Sequence, residues 1–134
     1  MSFSKELSVH SSAREEFIKL DAQVGKAVAE SGVGEGVCYV YVPHTTAGVT
    51  VNEGADPSVA EDIRARLTHL VPRDAGYSHA EGNADSHIKA TLVGATAIVP
   101  VRDGRLALGT WQSVLFCEFD GPRQRRVLVK VVEA

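Results

Sequence analysis

A chain of 134 residues with 44% hydrophobic content can form one domain with a real core, and has no room for a second. Its formal charge of −3, without a basic stripe or zinc-finger spacing, argues against a nucleic-acid partner. No apolar run approaches the ~20 residues of a spanning helix, and Met1 to Leu7 carry charge where a signal peptide needs an apolar core, so a cytoplasmic protein without a membrane partner is expected.

Residues 3–10 and 14–20 read as two strands joined by the polar turn His10-Ser11-Ser12-Ala13, the second mixing apolar and charged positions as an edge strand does. Asp21 is the expected N-cap of a short helix with Val24, Ala27 and Val28 at helical spacing, stopped by Gly32. Residues 37–42, Val-Cys-Tyr-Val-Tyr-Val, form a strand apolar on both faces, which predicts cover on both sides by a second layer or another subunit. Asp56-Pro57 is a strong helix start, and Val59, Ile63, Leu67 and Leu70 predict a core stripe, with an Asp62–Arg66 pair on the outer face.

Residues 73–86 form a polar loop of functional length that runs into a helix at His87–Val93, capped by Asp85 or Asn83 and stopped by Gly94. The remainder reads as β: 95–101, a turn at Arg102-Asp103-Gly104, a return at 105–108, then 113–119, a Gly121-Pro122 turn and 125–132. Cys38 and Cys117 fall in apolar strand-like runs outside any CxxC pair and are expected as reduced buried thiols, a disulfide being the alternative. The fold class is α+β: one domain over 1–134, a mainly antiparallel two-layer sheet system with helices at its side.

Two stretches concentrate polar groups beside buried strands, as binding loops do. The first, Pro43 to Asp56, contains His44, Thr45, Thr46, Asn52 and Glu53; the second, 77–87, contains His79, Glu81, Asn83 and His87. Three converging neutral imidazoles, His44, His79 and His87, would make a zinc site with an open position; three independent hydrogen-bonded histidines are the other reading. Asn52 and Glu53 suit substrate contacts, with Glu53 as base or as partner of an imidazole, whereas Asp56 is better explained by capping. Thr110, Trp111 and Gln112 follow Gly109 and suit a pocket wall, with core or interface packing as the alternative for the tryptophan. Arg123, Arg125 and Arg126 could attract an anion, but a cluster after a turn is expected to be solvated.

Three segments carry a resemblance: His44-Thr45-Thr46-Ala47 through Asn52-Glu53, Glu81 through Lys89, and Gly104-Arg105-Leu106-Ala107-Leu108-Gly109-Thr110-Trp111-Gln112. Together with Glu118-Phe119-Asp120-Gly121-Pro122-Arg123, they resemble the YjbQ family, UPF0047, some of whose members are described as secondary thiamine-phosphate synthases. The resemblance implies a β-sandwich of about seven strands with flanking helices, assembled as a homotrimer. It also implies a site containing His44, His79 and His87 as ligands of a divalent metal, expected to be zinc. His44 and Glu53 are the expected catalytic groups, and Thr45, Thr46, Asn52, Asn83, Thr110, Trp111 and Gln112 the small-molecule contacts. The function expected is a metal-binding enzyme acting on a small phosphorylated or heterocyclic substrate, with thiamine-phosphate synthesis as a secondary activity. A non-enzymatic metal- or ligand-binding trimer is the alternative.

Overall fold

A computed structural model describes all of residues 1–134. Its larger sheet has five strands, ordered β1 (Ser2–His10), β8 (Gln124–Glu133), β3 (Gly36–Tyr41), β5 (Thr96–Arg102) and β6 (Arg105–Leu106). The smaller sheet has β7 (Gln112–Glu118) between β2 (Glu16–Lys19) and β4 (Ala47–Glu53). Every strand pairing is antiparallel. Between the sheets lies a core of 20 buried residues, fed by the inward parity of β8 (Val127, Val129, Val131), β5 (Ala97, Val99, Val101) and β3 (Cys38, Val40). From the smaller sheet come Val49, Val114 and Phe116. β7 is buried on both faces, and its Cys117 joins Phe119 and Ala90 in a second apolar cluster beneath the helices.

Helix α1 (Asp21–Ser31) buries Val24, Ala27 and Val28 as expected and ends on Gly32 in a left-handed conformation (φ 71°). Its cap differs from the sequence reading. Leu20 holds the N-cap position and Asp21 lies inside the helix, because its carboxylate accepts from the Val114 amide (2.7 Å) and so ties α1 to β7. In α2 (Pro57–Leu70) the Asp56 cap is as predicted, with its carboxylate accepting from Ser58 N–H at 3.0 Å. The expected core stripe is not there: α2 buries no residue fully, Leu67 only edges the second cluster, and Leu70 is exposed. Arg64 replaces Arg66 as the paired cation, reaching Glu61 and Glu15.

α3 (Ala84–Val93) begins three residues earlier than expected. The reason is a buried charge set: Asp85 accepts two hydrogen bonds from Arg14 (3.1 and 3.2 Å), while fully buried Lys89 reaches both Asp85 and Glu15. Asn83 takes the N-cap position without a side-chain cap bond, since its amide is used elsewhere. Strand β3 is covered on one face only within the chain. Cys38 and Val40 point into the core, whereas Tyr39 and Tyr41 are exposed. Both cysteines are free and buried, and burial pushes Cys38 up to about 11 and Cys117 up to about 12.

Candidate functional site

The loop between β3 and β4, the segment before α3 and the turn from β7 to β8 meet at one end of the sandwich. There they line a pocket with Pro43, His44, Thr45, Thr46, His79, Glu81, Asn83, His87, Asp120, Arg123 and Arg125, with Pro43 the only apolar side chain among them. Segments far apart in sequence thus bring all three predicted imidazoles to one cavity. The His79 and His87 rings stand edge to face with centroids 5.3 Å apart. His44 accepts a hydrogen bond at Nε2 from the Arg126 backbone N–H (3.0 Å), which keeps its proton on Nδ1. Burial and the nearby Arg125 guanidinium hold the His44 pKa below its ordinary value, so the neutral ring is favoured.

Arg125 was expected in solvent, yet it is buried. Its Nε donates to Glu118 (2.9 Å), and its Nη2 donates to Thr46 Oγ1 (2.9 Å) and to Glu118. Glu118 further accepts from Ser11 Oγ (2.7 Å) and from the Asp120 N–H (3.1 Å). Burial works to raise the Glu118 pKa, but these donors outweigh it, and the carboxyl is held below the usual carboxylate range. Asp120 accepts from Asn83 Nδ2 (2.9 Å) and from Arg123 Nη2 (3.2 Å). That contact fixes the Asn83 amide with Oδ1 buried and without a hydrogen-bond partner. A buried acceptor left empty costs roughly 1–3 kcal/mol, so Asn83 Oδ1 marks a position for a donor or a cation.

The other predicted site residues are elsewhere. β4 runs from the pocket to the opposite end of the sandwich, so Asn52 and Glu53 lie about 20 Å from Thr46 along it. There Glu53 accepts from the Ala55 and Asp56 amides (2.9 and 3.2 Å), and Asn52 accepts from the Glu53 N–H (2.7 Å), which is turn chemistry. Gln112 pairs in register with Glu53 and accepts from the Gly109 N–H (2.8 Å), closing its own loop. Thr110 is exposed, and Trp111 is 66% exposed. The chain therefore holds His44, Thr45, Thr46, His79, Asn83 and His87 in the pocket, and Asn52, Glu53, Thr110, Trp111 and Gln112 outside it. Sequence reasoning missed Glu118, Asp120 and the buried role of Arg125. The signal for Arg125 was its parity, which it shares with Val127, Val129 and Val131.

The donor set suits a divalent metal in kind, with imidazoles and an unpartnered amide oxygen on one wall. The side chains as placed do not draw three carboxylate, thiolate or imidazole ligands together. His44 would complete a three-histidine set only by giving up its bond from Arg126.

Comparison with known proteins places the chain. The sequence pattern described as "UPF0047 protein YjbQ-like" matches residues 5–134. The chain belongs to the YjbQ-like family, UPF0047. A UPF0047 protein of Methanocaldococcus jannaschii is 47% identical over 124 residues, covering 92% of this chain and 90% of that protein. YugU of Bacillus subtilis is 43% identical over 129 residues, covering 96% and 98%. Among solved structures, a YjbQ/UPF0047 protein of Clostridium acetobutylicum superposes with a TM-score of 0.94 at 48% identity, over 96% of this chain and 99% of that one. A protein of unknown function from Sulfolobus solfataricus gives a TM-score of 0.96 at 31% identity, over 100% and 99%. The α+β sandwich is thus the YjbQ-like fold. No helix of this YjbQ-like chain is long and apolar enough to cross a membrane.

Proposed function

We propose that the histidine–arginine pocket binds a small polar, phosphorylated molecule together with a divalent metal of the zinc class, and that the protein is an enzyme. The observation that carries this reading is the pocket lining: three imidazoles and two guanidiniums gathered from separate segments, with Pro43 the only apolar side chain among them. His79 and His87 stand edge to face as the first two ligands, and His44 is the third imidazole once its contact with Arg126 opens. A bound divalent ion supplies charge that stabilises a phosphoryl oxygen or a leaving diphosphate. Thr45 and Thr46 offer hydroxyls, and neutral His44 offers a proton-transfer group at the pocket wall. Such a site suits the thiamine-phosphate synthase reaction as a secondary activity. In that reaction the thiazole nitrogen bonds to the pyrimidine methylene carbon as the carbon–oxygen bond to diphosphate breaks.

The test is metal content of protein purified without chelators, followed by turnover of aminopyrimidine methyl diphosphate and thiazole phosphate by the metal-loaded protein. Near-stoichiometric metal that falls in the His87→Ala and His79→Ala variants, with diphosphate release, is expected. Metal without turnover of these or related phosphorylated compounds would favour the binding-protein alternative. Protein that takes up no metal would overturn the metal reading.

We also propose that the chain assembles as a homotrimer through the outer face of the five-stranded sheet. Exposed Tyr39 and Tyr41 stand there in register with Ile98 and Leu128. The number three rests on the family resemblance.

A further inference from the structure

We infer that the pocket contains a preformed subsite for a phosphoryl group, built on the outward edge of Arg125 with Arg123 beside it. The inference rests on the reading of this pocket as the functional site, but not on a metal being bound. Arg125 has five N–H donors in a rigid fork. Glu118 and Thr46 take those on Nε and Nη2, and no protein group accepts from Nη1. Nη1 is also absent from the sealed, unpartnered side-chain atoms, of which Asn83 Oδ1 is the sole example. It therefore opens to the pocket that Arg125 lines.

Arg123 repeats the arrangement. Its Nε and Nη2 donate to the Asp120 carbonyl (2.8 Å) and carboxylate (3.2 Å), leaving Nη1 free on the same pocket. The carboxylates behind these guanidiniums are themselves occupied. Glu118 accepts from Arg125, Ser11 and the Asp120 N–H, and Asp120 from Asn83 and Arg123. The guanidinium donors are thus not cancelled by the carboxylates behind them, and the only other acid on the pocket wall, Glu81, is largely exposed, 3.9 Å from His79.

Stability alone does not account for Arg125. It holds an inward position of β8 where valine serves at 127, 129 and 131, and a buried ion pair is on average no more stabilising than apolar residues of the same volume. A guanidinium locked by its inner edge, with its outer edge ready-oriented, is what recognition of a phosphoryl oxygen requires. Two such edges, two residues apart where the turn enters β8, suit an anion with several oxygens, and a phosphate monoester or diphosphate offers more of these than a carboxylate does.

The experiment uses the full chain with metals removed by EDTA. Inorganic phosphate is titrated while the ¹⁵N resonances of the arginine side chains are followed, with calorimetry for stoichiometry. A saturable shift at Arg125 with one site per chain is expected, and Arg123→Ala should weaken binding about tenfold, the value of one charge-assisted contact. Arg125→Lys should weaken it further. Lys5→Ala, which removes a surface cation outside the pocket, should leave it within about twofold, and because the protein is metal-free a failed metal reading leaves this result intact. If Arg125→Lys does not fold by circular dichroism, the resonances of the unmodified protein decide. No saturable Arg125 shift by about 20 mM phosphate, a concentration ample for two charge-assisted contacts, would overturn the subsite. So would binding unchanged by Arg123→Ala, or an equal response to acetate.

Discussion

Lys89 is among the largest side chains the fold buries completely, and its ammonium sits between Asp85 and Glu15 within reach of Arg14's partner. Burial works against both carboxylates, yet hydrogen bonds from Arg14 and Lys89 to Asp85, and from Lys89 and Thr68 to Glu15, hold both below the usual range. Truncating the cation leaves two acids in a dry site. Lys89→Met should therefore cost about 3–5 kcal/mol in urea denaturation, whereas removing the solvent-screened surface pair Lys5–Glu30 should change it little. Asp85, Glu15 and Glu118 all have depressed folded pKa values, so the unfolded chain takes up protons first as the pH falls. Their stabilisation is full above the ordinary carboxylate range of about 4 and is lost as the pH drops through it toward the folded values. Thermal melts should show Tm falling steeply below about pH 4.5, with a shallower fall in Glu118→Gln, which has already lost that charge. None of these charged cores was legible from composition. Parity placed Arg125 inward and the i, i+4 spacing placed Lys89 beside Asp85, but a sequence does not tell a buried ion pair from a solvated one without knowing what packs above it.

At the scale of elements, sequence rules succeeded where a local backbone group decides the outcome and failed where tertiary contacts compete. The Asp56-Pro57 start of α2 needs only its own first turn, and Asp56→Ala should lower Tm by removing the cap on Ser58. Asp21 offered the same signal but spends its carboxylate on Val114 across the sheet, leaving Leu20 at the cap. The apolar stripe of α2 was read correctly as a pattern, but it meets only the rim of the smaller sheet, so Leu70 remains exposed. The approach of α3 to β4 depends on a glycine. A Cβ on Gly48 would sit 2.6 Å from the Gly94 carbonyl oxygen and 3.2 Å from Val93 Cγ1 at the end of α3. Gly48→Ala should push α3 off the sheet, lowering stability by roughly 1–3 kcal/mol as overpacking does. Because α3 carries His87 and Lys89, the ¹⁵N signals of the 83–90 segment should shift as well. Unchanged signals with unchanged stability would mean that β4 absorbs the methyl.

For the whole molecule, the open question is what covers the outer face of the larger sheet. The double apolarity of 37–42 was legible in the sequence, but whether the second cover came from the chain or from another copy was not. Within the chain it does not come: all three helices lie elsewhere, and Tyr39, Tyr41, Ile98 and Leu128 are left between 38% and 62% exposed. These four are neighbours, since Tyr39 pairs with Ile98 on β5 and Tyr41 with Leu128 on β8, with Val37, Pro100 and Val132 continuing the patch. The face also runs up to the pocket, because Arg126, whose backbone N–H binds His44, is two residues before Leu128. An exposed apolar patch of this size, interrupted on β8 only by Lys130 opposite Tyr39, is what the proposed assembly would cover. Light scattering at micromolar concentration should give three times the 14.3 kDa of one chain. Tyr41→Asp combined with Leu128→Asp places two like charges opposite each other on that face and should shift the mass to that of one chain while far-UV circular dichroism is preserved. A monodisperse monomer for the unmodified protein would end the trimer proposal, and a trimer indifferent to both aspartates would move its interface to another face.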